Sequence, residues 1–317
     1  MENSPLISVI KWQTWRVALS GMLALATAMG IGRFAFAPLL PMMLHDGIVD
    51  LNAGGWLATA NYVGYFVGAL LCMVLRGNPV HFIRVGLIST ALLTLGMGVS
   101  KTLWLLLLLR GLGGVASALV LVFASGWCLQ RLVQLGAPTL GGIVFSGPGI
   151  GVVITGIPVG MMVAHGWSSH RGWLLFALMA VVIIAGIWTT FSGGLTTPGL
   201  QAAGVVQEES PQFKQQVRGL VLGYGIAGFG YIITATFLPV IARLALPGSH
   251  WTEFFWPLFG LCMALGALLA TRIPAHTNNF FVLSLCYVVQ AAGVVSGILW
   301  PNVGGFVLCS VLVGLPL

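Results

Sequence analysis

The chain has 317 residues, 58% of them hydrophobic and only 6% charged, with a mean hydropathy of +1.02 and a formal net charge of +7. Soluble domains carry about 25% charged residues, so this composition excludes one. The basic residues lie between apolar runs and form no cluster on an amphipathic face, which excludes a nucleic-acid surface and matches the loops of a membrane protein.

A membrane-crossing helix needs about 20 mostly apolar residues. Such spans are predicted, in chain order, over 17–43, 53–75, 83–100, 103–129, 138–164, 172–191, 217–245, 252–271 and 280–300. The first follows Lys11 and Arg16 and contains Ala24-Leu25-Ala26, a pattern that mimics a signal peptide. Its apolar run continues through Leu40 and further spans follow, so an uncleaved first helix is expected. A partial tenth span begins near Val303 and stops at Leu317, too short to cross unaided. Most connections are short, which makes consecutive helices antiparallel neighbours.

Residues 192–216 differ: they are rich in Gly, Gln and Ser and carry Pro198, Glu208, Glu209 and Pro211, the composition of a flexible linker. The expected fold is thus an all-α polytopic membrane helical bundle with nine complete spans and a partial tenth. Its expected parts are an N-terminal six-helix bundle at 1–191, a cytoplasmic linker at 192–216 and an incomplete C-terminal bundle at 217–317. With a cytoplasmic N-terminus, Lys11, Arg16, Arg76, Arg84, Arg131, Lys214, Arg218 and Arg272 lie inside and only Lys101, Arg171 and Arg243 outside, which sets the expected orientation. Cys72, Cys128, Cys262, Cys286 and Cys309 lie within or at the ends of apolar runs without a CxxC pair and read as small packing residues.

An internal repeat singles out the candidate site. Gly30, Gly32 and Pro41 of the first span recur at one common offset as Gly228, Gly230 and Pro239 of the seventh. A polar residue follows the second glycine in both, Arg33 in one and Tyr231 in the other. In the expected topology Arg33 lies about 15 Å below the outer end of its helix, Arg110 about 10 Å and Asn61 about 12 Å below the outer surface. These three and Tyr231 are therefore expected to converge on one layer, where the two arginines share a water-accessible chamber. A membrane-buried arginine costs roughly 2.5–3.5 kcal/mol at a helix centre, so it needs either a function or a structural partner. The structural alternative is that each arginine snorkels or bonds carbonyls freed by a kink, such as the one Pro38 and Pro41 impose on the first span.

Gly147-Pro148-Gly149-Ile150-Gly151 in the fifth span is expected to interrupt a helix at Pro148 and to permit close packing or gating through its glycines. Gly64-x-x-x-Gly68 in the second is a helix-packing face. Gln290, midway along the ninth, is positioned to bond a neighbouring helix or a solute. Acidic residues are absent from the depth of every span, Glu253 at the edge of the eighth coming nearest, and the histidines lie at loops or helix ends. Positive charge without acid suits an anionic or neutral-polar solute better than a cation. The sequence holds no catalytic constellation and no metal-ligand pattern at membrane depth, so neither an enzyme nor a metal site is expected.

These features resemble the major facilitator superfamily of secondary transporters, and within it the YbfB/YjiJ-like branch. The resemblance is carried by Gly30-Ile31-Gly32-Arg33-Phe34 with Pro38 and Pro41, by Gly228-Phe229-Gly230-Tyr231 with Thr236-Phe237-Leu238-Pro239, by Arg110-x-x-x-Gly114 and by Gly147-Pro148-x-x-Gly151. It implies transport by alternating access, with Arg33 and Arg110 binding or charge-balancing the solute and Tyr231, Asn61 and Gln290 near it. Gly30, Gly32, Gly228 and Gly230 belong to the packing and gating phrases it shares. The implied partners are a small-molecule solute, the bilayer and a coupling proton; no cofactor is implied, and the implied location is a bacterial cytoplasmic (inner) membrane. Two features depart from the family: the loop Arg76 to Arg84 lacks the usual acid, and relatives have twelve helices. The alternatives are a truncated, nonfunctional remnant, a chain completed by a second polypeptide, and a membrane sensor or assembly protein that transports nothing.

Overall fold

A computed structural model describes residues 5–192, 211–274 and 276–317. Among these residues the structure is all helix and turn, as a chain that must satisfy every backbone group without water requires. The elements in order are α1 (Pro5–Leu25), a π-helical segment (Ala26–Phe34), α2 (Phe36–His45), α3 (Leu51–Val74), α4 (Pro79–Val99), α5 (Leu103–Gln134), α6 (Gly141–Phe145), α7 (Gly147–Ala164) and α8 (Ser169–Ile187). After the undescribed residues come α9 (Pro211–Ala245), α10 (Phe255–Ala270), α11 (Asn279–Leu299) and α12 (Val303–Gly314). Nine helices among the described residues are long and apolar enough to cross a membrane, and α12 is shorter, so the expected helical bundle of nine spans and a partial tenth is present.

Most of the expected linker, residues 193–210, lies outside the described residues. The seventh span starts at Pro211, upstream of the hydropathy boundary at 217, because proline is preorganised for a first helical turn and the polar residues after it are helix formers. The first span is interrupted where α1 gives way to the π segment. The fifth is interrupted at Ser146, between α6 and α7.

Several helix starts are fixed by short polar side chains. Asp50 accepts from the Ala53 amide at 2.7 Å to cap α3, and Asn78 accepts from Val80 ahead of α4. Asp46, just beyond α2, accepts from the Ser169 amide at 2.6 Å and its hydroxyl at 2.7 Å, capping α8 from a different span. Gly47 at φ 68° and Gly166 at φ 64° make the turns that allow these reversals.

The first span is the axle of the molecule. Its most apolar window is 89% buried, against 17% for α11, and α3 through α9 all pack against it. One core joins α1, α2, α3, α4, α5 and α8. A second joins Met29, Phe34, Ala37 and Val152 of the first half to Ala235, Leu238, Ala242, Phe255, Trp256 and Phe259 of the second. The outward faces carry exposed Trp56, Phe66, Leu70, Leu92, Leu178 and Ile298, as lipid contact demands.

Candidate functional site

The site begins with a missing amide. Pro38 has no N–H to offer the carbonyls of Phe34 and Arg33, four and five residues back. The chain widens into a π-helix before this point, with Ala35 donating to the Gly30 carbonyl at 2.7 Å. Of these two carbonyls, that of Arg33 is taken by α5, which also bonds neighbouring carbonyls of the π segment and one of α3. Arg110 donates from Nη2 to the Arg33 carbonyl at 3.4 Å, from Nη1 to the Gly32 carbonyl at 3.3 Å and from Nε to the Leu57 carbonyl at 3.5 Å. Ser117, two turns along α5 on the same face, donates to the Ala28 carbonyl at 2.9 Å. Asn61 of α3 closes the unit by donating to the Arg110 carbonyl at 2.9 Å, while its Oδ1 stays buried without a partner.

Small residues make this possible. A Cβ on Gly114 would fall 2.1 Å from the Asn61 carbonyl oxygen, and one on Gly64 1.9 Å from that of Gly111, so α3 and α5 touch backbone to backbone. Gly30 and Gly151 abut: a Cβ on Gly30 would meet the Gly151 Cα at 2.3 Å. Gly147 lies equally close to the Met22 carbonyl, and Gly32 lies against Thr90. Gly149 faces the other half, with a Cβ there 2.4 Å from the Ala264 amide and 2.5 Å from the Gly260 carbonyl of α10. Pro148 does not remove an intrahelical bond as the sequence suggests. The helix has already broken at Ser146, and Pro148 sits in the first turn of α7, where its missing N–H costs nothing. Gly228 and Gly230 also depart from expectation: nothing lies within 4 Å of a Cβ on either, so they make no close packing contact.

Arg33 points elsewhere. Its guanidinium lies 4.2 Å from the Tyr65 ring centroid, 5.1 Å from Tyr62 and 5.3 Å from Phe34. The residue is 7% exposed, and its Nε has no hydrogen-bond partner. Neither Arg33 nor Arg110 forms an ion pair with a carboxylate among the described residues. Arg110 instead stacks over Phe36 at 4.5 Å and lines a crevice of about 10 Å³ with Gly32, Thr90, Thr94 and Trp173, inside the first half. A volume of that size holds about one water. Among the described residues the two arginines are used differently: Arg110 spends its donors on backbone carbonyls of the first and second spans, whereas Arg33 lies among Tyr62, Tyr65 and Phe34 and does not line the crevice that Arg110 lines.

Across that junction stands α9. Tyr231 lies within electrostatic reach of Arg33 and of Tyr62. The Tyr62 hydroxyl is hydrogen-bonded to the hydroxyl of Thr236, joining the halves directly. Beyond it, Arg243 donates to both carboxylate oxygens of Glu253 at 2.9 Å. The two ends of α9 behave differently. Ala235, Leu238 and Ala242 are buried against the first half, whereas Val221, Leu222, Ile226 and Phe229 are exposed. Tyr231, Gly228 and Gln290 line a cavity of about 770 Å³ with Tyr224 and Tyr287, whose lining residues all fall between Leu220 and Leu317; Arg33, Arg110 and Asn61 are not among them. Gln290 itself is 8% exposed. Among the described residues no group of histidine, cysteine or acidic side chains is arranged to hold a metal ion.

Sequence reasoning missed Tyr62, Tyr65 and Ser117, and named Thr236 only as part of a motif, without its bond to Tyr62. The signal for the tyrosines was there: Tyr62 and Tyr65, three apart in an apolar helix, necessarily share a face beside Asn61.

Comparison with known proteins agrees with this architecture. Residues 25–317 match the family described as "Uncharacterised MFS-type transporter YbfB". The "Membrane sensor protein UhpC" of Escherichia coli (strain K12) is 25% identical over 200 residues, covering 59% of this chain and 43% of that protein. The chain thus spans less than half the length of that relative. A D-xylose–proton symporter crystal structure superposes with a TM-score of 0.60 at 10% identity, covering 95% of this chain and 80% of that one. A bacterial homologue of the human lysosomal transporter Spinster, inward-facing and unoccupied, superposes with a TM-score of 0.57 at 15% identity, covering 99% and 74%. At such identities the likeness is one of fold.

Proposed function

Because the chain belongs to the YbfB family of the major facilitator superfamily, and so is an integral multi-pass membrane protein, we propose that it is a secondary transporter moving a small anionic or polar solute by alternating access. The observation that carries this reading is Arg33: a guanidinium buried at the junction between halves, caged by aromatic rings, with no counter-charge among the described residues and an unpartnered Nε. Such a group is costly in a membrane and becomes intelligible when an anion neutralises it during the cycle.

The roles divide accordingly. Arg33 balances the charge of the solute, with Tyr231, Tyr62 and Tyr65 orienting it. Arg110, Asn61 and Ser117 hold the π segment in the shape that aims Arg33. The halves, 1–191 and 217–317 joined by a linker, rock about the contact between α7 and α10. The Tyr62–Thr236 bond closes one end, which by the positive-inside bias is the outer one, so that the N-terminus is cytoplasmic. A cytoplasmic (inner) membrane and a coupling proton complete the proposal.

A second reading draws on the description of the Escherichia coli relative as a membrane sensor. In it Arg33 captures a ligand and the junction reports occupancy without passage. Reconstitution into liposomes separates the two. Solid-supported-membrane currents evoked by a panel of organic anions, and lost in Arg33→Gln, support transport. Saturable binding without any current or counterflow supports the sensor.

A further inference from the structure

We infer that Arg33 is the head-group receptor for a compact organic monocarboxylate. The inference rests on the transport reading above and narrows its substrate class.

The charge comes first. Of the two arginines at membrane depth, Arg110 places Nε, Nη1 and Nη2 each on a backbone carbonyl. Arg33 Nε has no partner, and the residue is more than nine-tenths buried. The repeat supplies no second guanidinium, since the counterpart of Arg33 is Tyr231. The unpartnered Arg33 Nε–H, beside the rings of Tyr62 and Tyr65, matches one carboxylate, whose oxygen accepts from it while the guanidinium balances its charge. A phosphate monoester, carrying about two negative charges, would leave charge unmatched at low dielectric.

Shape follows from the rings. Tyr65, Tyr62 and Phe34 pack around the guanidinium, so a ligand approaches by its edge. Phe34 is in turn packed edge-on against Trp256 at 6.5 Å within the buried core, so this face of the guanidinium is held in place and leaves room only for a compact head group.

The test is scintillation-proximity binding of radiolabelled benzoate to the purified chain, with competition by benzamide, glucose 6-phosphate and octanoate. Benzoate is expected to saturate. Benzamide, which lacks the charge, should compete about 10- to 100-fold more weakly, the loss of one charge-assisted contact. Glucose 6-phosphate and octanoate are also expected to be weaker. Arg33→Gln should lose benzoate by a similar factor at an unchanged melting temperature, and Arg33→Lys, which keeps charge without the fork, should fall between. If Arg33→Gln does not fold, the Arg33→Lys comparison carries the test. Benzamide equal to benzoate, glucose 6-phosphate or octanoate tighter than benzoate, or wild-type affinity in both Arg33 variants overturns the inference. Benzoate binding without counterflow rejects transport alone, and transport of other solutes without benzoate binding rejects this inference alone.

Discussion

Replacing Arg110 tests the division of labour between the two arginines. Arg110→Met keeps volume and apolar stem but removes three donors, taking their contacts from the carbonyls of Gly32, Arg33 and Leu57. A buried acceptor without a partner costs about 1–3 kcal/mol in water-soluble proteins, while polar contacts within membranes average about 0.6 kcal/mol. The three contacts measure 3.3–3.5 Å, long for hydrogen bonds, so the low end applies to each. The sum is about 2–3 kcal/mol of lost stability, a fall of roughly 5 °C in the thermal midpoint of the solubilised protein. Arg110→Lys keeps the charge, but its point-like ammonium cannot fork onto carbonyls from two spans, so it should recover less than half of the loss. Hydrogen exchange should quicken at the amides around residues 30–37 in both variants, because the π segment loses its clamp. Wild-type stability in Arg110→Met would refute the clamp. Full recovery in Arg110→Lys would show that charge, not donor geometry, is what matters.

Further outcomes follow from the same geometry. Gly30→Val and Gly149→Val force a side chain against backbone at 2.3–2.4 Å and should cost several kcal/mol or abolish folding, read as loss of a monodisperse peak in size-exclusion chromatography. Gly228→Ala and Gly230→Ala meet nothing within 4 Å and should leave that peak unchanged or raise the melting point slightly, since alanine favours a helix by about 1 kcal/mol. Tyr62→Phe removes the bond to Thr236 but keeps the ring beside Arg33; in a background without the native cysteines, an impermeant maleimide should label Ala235→Cys faster in this variant than without it. Glu253→Gln breaks a pair whose side chains are about a quarter exposed, so the expected loss is at most about 1 kcal/mol and should shrink at high salt.

Much of this fold was legible from periodicity and length, because a membrane leaves the backbone few options. The nine spans, the short α12 and the glycine faces at Gly64, Gly68 and Gly151 all follow from residue size and hydropathy. The site was legible in its members but not in its wiring. Arg33 and Arg110 carry the same charge at similar expected depth, and nothing local says which one serves the backbone. That is decided by Pro38, whose missing amide exposes carbonyls on the side facing α5, and by Ser117 and Arg110 sharing one face of that helix. The π segment was likewise hidden, since its register depends on donors contributed by another span. Gly228 and Gly230 mislead for the opposite reason: the repeat preserves the glycines of the first span, yet among the described residues nothing lies within 4 Å of a Cβ at either position.

The central claim is that Arg33 is held for a solute rather than for the fold. Arg33→Gln and Arg110→Met, compared side by side for thermal midpoint and for anion-evoked current in liposomes, test it most directly. The account predicts that Arg33→Gln melts within a few degrees of wild type and carries no current, while Arg110→Met melts well below both. Arg33→Gln that unfolds like Arg110→Met, or that conducts as wild type does, would contradict it.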